Sequence, residues 1–267
     1  MSQTAVATPV IRGRRAGFMM DMVSLAIRAL KSVPRDPHAV YPALIFPVFF
    51  FAINVGALQD VAERIPGLDY KAFQLPVAII FAVTGISRAV NLVTDIQTGY
   101  FDRLALTPVN RLALLLGLTV ADFTLVVVLT IPVLILGFVL GIGFESGPLG
   151  VLAFVLLAGL WGLVFTGFPY AIALKTGSPA AVNSSFLIFM PFVFLTTVFI
   201  PKEAMTGWMS VVASFNPVTY LLDALRSLIS VGWDWMALLK GLGAVAGVGV
   251  VSGTMALTSL KGRTRRK

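Results

Sequence analysis

Five stretches without a single charged residue constrain this chain more than any other feature: Ala39 to Gln59, Phe123 to Phe144, Ser146 to Leu174, Thr176 to Pro201 and Gly241 to Leu260. Each is about as long as the ~20 residues a helix needs to cross the hydrocarbon of a bilayer. A sixth stretch, Phe73 to Val93, is broken only by Arg88, near one end, where a long side chain can carry its charge to the headgroups. No water is at hand inside hydrocarbon, so a crossing segment must satisfy its backbone as a helix or as a strand of a closed barrel. Barrel strands alternate in polarity over about ten residues, whereas these runs are continuously apolar. The expected fold class is therefore an all-α integral membrane protein with six transmembrane helices. Composition agrees: 12% of residues are charged, against about 25% in soluble domains, and the mean hydropathy is +0.93.

The net charge of +8 raises the possibility of a nucleic-acid partner, but the placement of the charges points elsewhere. Six Lys and Arg fall in residues 1–38, three in 88–111, one at Lys175 and five in 261–267; the opposite side holds Arg64, Lys71, Lys202, Arg226 and Lys240. By the positive-inside rule both termini and the segment Phe101 to Arg111 face the cytosol. The basic excess is a topology signal whose expected partner is membrane lipid, not nucleic acid. The first 38 residues show no apolar leader core, so no cleavable signal is expected. The chain reads as one transmembrane domain over 1–267: a cytosolic segment 1–38, six spans over 39–260 and a basic tail 261–267. There is no cysteine, hence no disulfide or thiolate site.

Between Arg15 and Arg35, Phe18, Met22, Leu25, Ala29 and Val33 share one face at helical spacing, opposite Asp21, Ser24, Arg28, Lys31 and Arg35. Directly ahead of a span, this basic amphipathic pattern predicts a helix lying in the membrane interface. His38, without acidic neighbours, reads as a headgroup-level polar residue rather than a metal ligand or base. Before the last span, Asn216-Pro217 reads as a helix start, with Asn as N-cap and Pro at the first position. Val218, Leu221, Leu222, Leu225, Leu228 and Ile229 then form a stripe, with Asp223 and Arg226 opposite. Together with Met205 to Ser214 this predicts an external re-entrant hairpin containing Asn216, Pro217, Tyr220, Asp223 and Arg226. A seventh span over Ala204 to Leu222 is rejected, because Asn216-Pro217 would break it and the basic tail would move outside.

Catalytic and nucleotide motifs are missing: no GxxxxGK[ST], HExxH, GxSxG or CxxC occurs, and Lys175-Thr176-Gly177 lacks the glycines that a phosphate loop needs. Asp122, the one acid well inside a run, is a candidate proton relay by default, or a structural partner near the inner interface. A six-span chain with no energy-capturing site, but with an ordered cytosolic knob, fits one half of a machine whose motor is another subunit.

Two stretches carry a family resemblance. Asp95 to Arg111, DIQTGYFDRLALTPVNR, resembles the acid-x-x-x-Gly-x-x-acid-base-Leu-x-x-Thr-Pro-x-x-Arg pattern of the ABC-2 type permeases, the membrane subunits of ATP-binding-cassette exporters. Asn216-Pro217-Val218-Thr219-Tyr220 is similar to that family's Asn-Pro-x-Thr-Tyr segment, and Pro191 to Pro201 with Trp208 fits its fifth span and hairpin. Tyr100 and Phe101 depart from the pattern, standing where Thr and a smaller or acidic residue are frequent. The resemblance implies a drug- or antibiotic-resistance-like exporter permease, not catalytic itself, in the cell membrane. It further implies a homodimer, or a heterodimer with a second six-span permease, carrying cytosolic ABC ATPase subunits that hold the ATP and Mg; no cofactor or metal is expected in this chain.

The resemblance makes the loop between spans two and three a coupling helix and the N-terminal helix a connecting helix. In that role Gly99, Tyr100, Phe101, Asp102, Arg103, Leu104, Thr107, Pro108 and Arg111 are the ATPase-coupling residues. Tyr100, Phe101 and Leu104 supply anchors, Asp102, Arg103 and Arg111 a polar rim, and Pro108 disfavours helix at Thr107, separating the knob from span three. Spans two and five are implied to line the substrate path, at Thr84, Ser87 and Asn91 and at Asn183, Phe186, Phe189 and Met190. Such a lining suits a hydrophobic or amphipathic drug, antibiotic or lipid. A polysaccharide or glycolipid exporter and a proton-driven carrier using Asp122 are the alternatives.

Overall fold

The computed structural model describes residues 17–33, 37–62, 64–84, 87–105 and 111–265; the side chains at 37–40, 102, 104, 105, 111, 188, 189, 264 and 265 lie outside that description. Among the described residues every regular element is helical: α1 (Phe18–Lys31), α2 (Pro37–Ala62), α3 (Tyr70–Thr84), α4 (Ala89–Gln97), α5 (Tyr100–Ala105), α6 (Arg111–Val139), α7 (Gly147–Phe165), α8 (Gly167–Thr176), α9 (Pro179–Phe194), α10 (Trp208–Phe215), α11 (Pro217–Ser230) and α12 (Trp235–Arg265).

Among the described residues five apolar helical stretches are long enough to cross a bilayer: Tyr41–Ala62, Tyr70–Gln97, Leu112–Val139, Gly147–Thr176 and Trp235–Arg263. The run from Thr176 to Pro201, expected as a full span, contains the shorter α9, 16 residues or about 24 Å of helix. Beyond Phe194 the chain bends through Leu195 to Ile200. Pro191 lies inside the last turn of α9, where its ring removes one helix donor. The carbonyls released at that end are taken up from outside: Asn216 Nδ2 donates to Phe192 O at 2.6 Å and to Leu195 O at 3.1 Å. Asn216 also accepts from Val218 N through Oδ1 at 3.0 Å, capping α11 as its position before Pro217 foretells.

Arg226, from α11, holds the bent segment in place. It donates to Thr197 Oγ1 and Thr197 O, both at 2.7 Å, and to Phe73 O at 3.2 Å, with its guanidinium 3.5 Å from the Phe73 ring centre. Irregular buried backbone needs hydrogen-bond partners from elsewhere in the protein, and here Arg226 supplies them. Asp223 stands one turn away at 3.8 Å. The apolar stripe of α11 is buried along its length, from Val218 to Ile229.

Two further boundaries differ from expectation. The third span starts at Arg111 instead of Phe123, because Asp122 is paired inside the fold and does not interrupt the helix. Arg88, expected to reach the headgroups, is instead 6% exposed and bound within the protein.

Among the described residues, two of three apolar clusters account for most of the interior. One joins α3, α7 and α11 through residues such as Ile79, Phe154, Trp161 and Leu221. The other gathers Leu92, Phe101, Leu114, Tyr170, Leu174 and Leu260 at the end of the molecule carrying α1 and α5. Helix α1 lies against α6 at Gly117, where a Cβ would stand 2.8 Å from both Leu25 Cβ and the Met22 carbonyl. Leu25 and Ala26 are buried there, while Phe18, Met19, Met20, Val23 and Ile27 remain exposed.

Candidate functional site

The segment singled out by the sequence begins at a sharp turn. Helix α4 ends at Thr98, whose hydroxyl donates back to Thr94 O at 2.8 Å. Gly99 follows with φ at +73°, a left-handed conformation costly for any residue with a Cβ. The chain turns here, and α5 starts at Tyr100 with Arg103 N donating to Gly99 O.

Two contacts tie this turn to the rest of the molecule. Arg28 of α1 places both terminal nitrogens on the Asp95 carboxylate, at 2.9 and 3.3 Å, and its guanidinium lies 4.0 Å from the Tyr100 ring centre. One side chain of α1 therefore touches both α4 and α5. Phe101, expected as an exposed anchor for a partner's cleft, points inward instead: it is 4% exposed and belongs to the cluster of Leu25, Ile96 and Leu114. An aromatic ring following a short turn is more stable in an available apolar pocket than in water. Arg103 is exposed. The side chains of Asp102, Leu104 and Arg111, together with Thr107 and Pro108, lie outside the described residues. Below the turn, Gln97 Nε2 donates to Gly177 O and Arg263 Nη1 to Leu174 O, each at 3.0 Å, joining α4 and α12 to the end of α8.

A second polar group is buried among the spans. Asp122 is fully buried; it accepts from the Tyr170 hydroxyl at 2.5 Å and from Arg88 N at 3.1 Å. Both carboxylate oxygens are thus engaged, one by α8 and one by the residue that opens α4. The Arg88 side chain goes the other way, donating from Nη1 to Ser32 Oγ at 3.2 Å. Arg88 and Asp122 stand out singly in the sequence, 34 residues apart, and nothing local to either announces this arrangement. The available signal was their opposite charge within neighbouring spans.

Among the described residues, those assigned to a substrate path have different surroundings. Thr84 is buried with its hydroxyl on Ile80 O, and Ser87 Oγ accepts from Ala89 N. Asn91 lines a cavity between α1 and α4 that Thr84 and Ser87 do not reach. On α9, Asn183 is exposed, Phe186 packs on the cluster around Tyr170 and Met190 on the cluster around Trp161. The side chain of Phe189 lies outside the described residues. Tyr220, in the hairpin, donates to Ser214 O at 2.6 Å and so fastens α11 to α10. Among the described residues no group of three or more acidic or histidine side chains is placed to hold a metal.

The pattern of Asp95 to Arg111 can be weighed against known proteins. The family model of the ABC-2 type transporter matches residues 20–229. This chain belongs to the ABC-2 type transporter family. The match runs from α1 through α11 and so takes in the Gly99 turn, the Arg28 contacts and the Asn216 cap. Among curated proteins, the daunorubicin resistance ABC transporter permease protein DrrB1 of Streptomyces coeruleorubidus is 30% identical over 189 residues, 70% of this chain and 65% of that protein. The matched stretch therefore covers slightly less than two thirds of that relative. The probable doxorubicin resistance ABC transporter permease protein DrrC of Mycobacterium tuberculosis (strain ATCC 25618 / H37Rv) is 27% identical over 238 residues, 88% of this chain and 86% of that protein. A putative transport permease ycf38 of Cyanophora paradoxa is 23% identical over 221 residues, 80% and 75% of the two chains.

Proposed function

We propose that this ABC-2 family member is the membrane permease subunit of an ATP-driven exporter that carries hydrophobic or amphipathic small molecules, such as a drug, antibiotic or lipid, out of the cytoplasm. The observation that carries this reading is the family match across the segment in which Arg28 binds Asp95 and covers Tyr100. Two relatives named for resistance to anthracyclines favour the class of cargo. Six spans cross the cell membrane, α9 with its bent extension serving as the fifth, and both termini lie in the cytosol. Helix α1 rests in the inner interface with Met19, Val23 and Ile27 toward lipid. Helices α10 and α11 form the external re-entrant hairpin.

ATP and Mg belong to a separate cytosolic ATPase subunit, which docks at α5 and the residues after it, and the permease works as a homodimer or with a second six-span chain. In this scheme Phe101 transmits instead of anchoring: its ring is lodged in the cluster shared by α4, α6, α8 and α12, so displacement of α5 moves those helices together. Exposed Arg103 belongs to the rim that meets the ATPase. Thr84, Ser87, Asn91, Asn183, Phe186, Phe189 and Met190 line the path only when two permeases face each other across spans two and five. Asp122, with both oxygens occupied, is a structural tie rather than a proton relay.

Inside-out vesicles containing this chain and the ATPase subunit of its own transporter test the reading. Daunorubicin should accumulate when ATP is added, and accumulation should survive collapse of the proton gradient by an ionophore. Accumulation abolished by the ionophore with ATP still present would favour the proton-driven alternative.

A further inference from the structure

Between α1 and α4 lies a cavity of about 640 Å³, within the range of sites that hold small ligands. Among the described residues three cations line it, Arg28, Lys31 and Arg88, against one acid, Asp95. Arg28 is already spent on that acid. Lys31 is exposed at the end of α1, and Arg88 is the unusual member. It is 6% exposed, its Nη1 donates to the neutral hydroxyl of Ser32, and its Nε is buried without an acceptor among the described residues. Asp122 feels the charge of the guanidinium but takes its hydrogen bonds from the backbone N of Arg88 and the Tyr170 hydroxyl. A guanidinium has five N–H groups, and a buried charged donor lacking an acceptor is costly. An anion seated in the cavity would supply what the protein does not.

The remaining lining narrows the ligand. Ser32 and Asn91 add neutral polar groups beside Lys31 and Arg88, whereas Ile27, Leu114 and Leu118 form an apolar border. Ile27 continues on the outer side of α1 into the exposed Met19 and Val23. A compact anion able to accept from both a guanidinium and an ammonium, next to apolar surface, describes a phosphate attached to hydrocarbon. We infer that this cavity binds a phosphate group, with the headgroup of a cytosolic-leaflet phospholipid as its source. Only the lipid source rests on the proposed topology; the phosphate chemistry stands on the side chains alone.

The test uses the full chain, delipidated in a non-ionic detergent and offered phosphatidylglycerol, diacylglycerol of the same acyl chains, or inorganic phosphate. Native mass spectrometry counts retained lipid, and equilibrium dialysis measures phosphate. One phosphatidylglycerol should be retained per chain and diacylglycerol should not. Retention should weaken about tenfold in Arg88→Gln and again in Lys31→Gln, with partial recovery in Arg88→Lys. Lys31 is exposed, so its variant reports on binding even if Arg88→Gln folds poorly. Lipid retention without measurable uptake of inorganic phosphate assigns the headgroup; saturable phosphate uptake lost in the same variants supports the phosphate site with a soluble source. Equal retention of diacylglycerol, binding unchanged in both Gln variants, or no binding of lipid or phosphate at all overturns the inference.

Discussion

Replacing Tyr170 by Phe removes one hydroxyl from the Asp122 tie and leaves the ring's packing in place. Asp122 then keeps the Arg88 N bond at 3.1 Å and loses its partner from α8. A buried acceptor left without its donor costs about 1–3 kcal/mol, but hydrogen bonds between membrane helices average only ~0.6 kcal/mol and reach ~1.7. The second range is the closer analogue, so Tyr170→Phe should cost about 1 kcal/mol. Asp122→Asn should cost no more. Its Oδ1 can still accept from Arg88 N, and its amide can donate to the Tyr170 oxygen once that hydroxyl turns away. Asp122→Ala strands both the Arg88 N–H and the Tyr170 hydroxyl, two buried donors that cost about 1–3 kcal/mol each without an acceptor. Thermal unfolding of the full chain in detergent should therefore rank wild type, then Asn and Phe together, then Ala well below. Transport by Asp122→Asn in vesicles should match its folded fraction. Three equal midpoints would refute the structural role, and a well-folded Asp122→Asn that hydrolyses ATP without transporting would establish a relay.

Other substitutions probe the remaining joints. Gly117→Val places a side chain where a Cβ already meets Leu25 and the Met22 carbonyl; overpacking of this kind costs about 1–3 kcal/mol, and limited proteolysis should cut within α1 sooner than in wild type. Gly99→Val meets no neighbour within 4 Å, so its cost, about 1–2 kcal/mol, comes from the positive φ alone; Gly99→Asn should retain more transport at equal protein level. Arg226→Lys gives up the fork that serves Thr197 and Phe73 at once, and the thermal midpoint should fall by the equivalent of about 2 kcal/mol or more.

The apolar runs made the helices legible, and the Asn216-Pro217 start and the buried stripe of α11 were written in residue type and spacing. Helix ends were less legible where charge was taken as a boundary. Asp122 lies deep inside α6 because Tyr170, 48 residues later, is there to bond it, and no local pattern announces a partner so distant. Arg88 misled for the same reason, its destination being Ser32, 56 residues earlier. The coupling segment was recognisable from its pattern, yet periodicity in a six-residue helix cannot tell a ring facing a partner from one facing its own core. Phe101 took the inward course because Leu25, Ile96 and Leu114 converge there from three helices.

In the proposed function Phe101 passes motion of α5 to the neighbouring helices, and the contacts of Arg28 with Asp95 and Tyr100 hold α5 in register for that transfer. The most direct measurement is the number of substrate molecules moved per ATP hydrolysed, in vesicles carrying the permease and its ATPase subunit, for wild type and for Arg28→Gln combined with Asp95→Asn. Both groups are partly exposed, so the double change should cost at most about 1 kcal/mol of stability and leave the complex assembled. The account predicts that ATP hydrolysis continues while transport per ATP falls several-fold. An unchanged ratio in the assembled complex would contradict it.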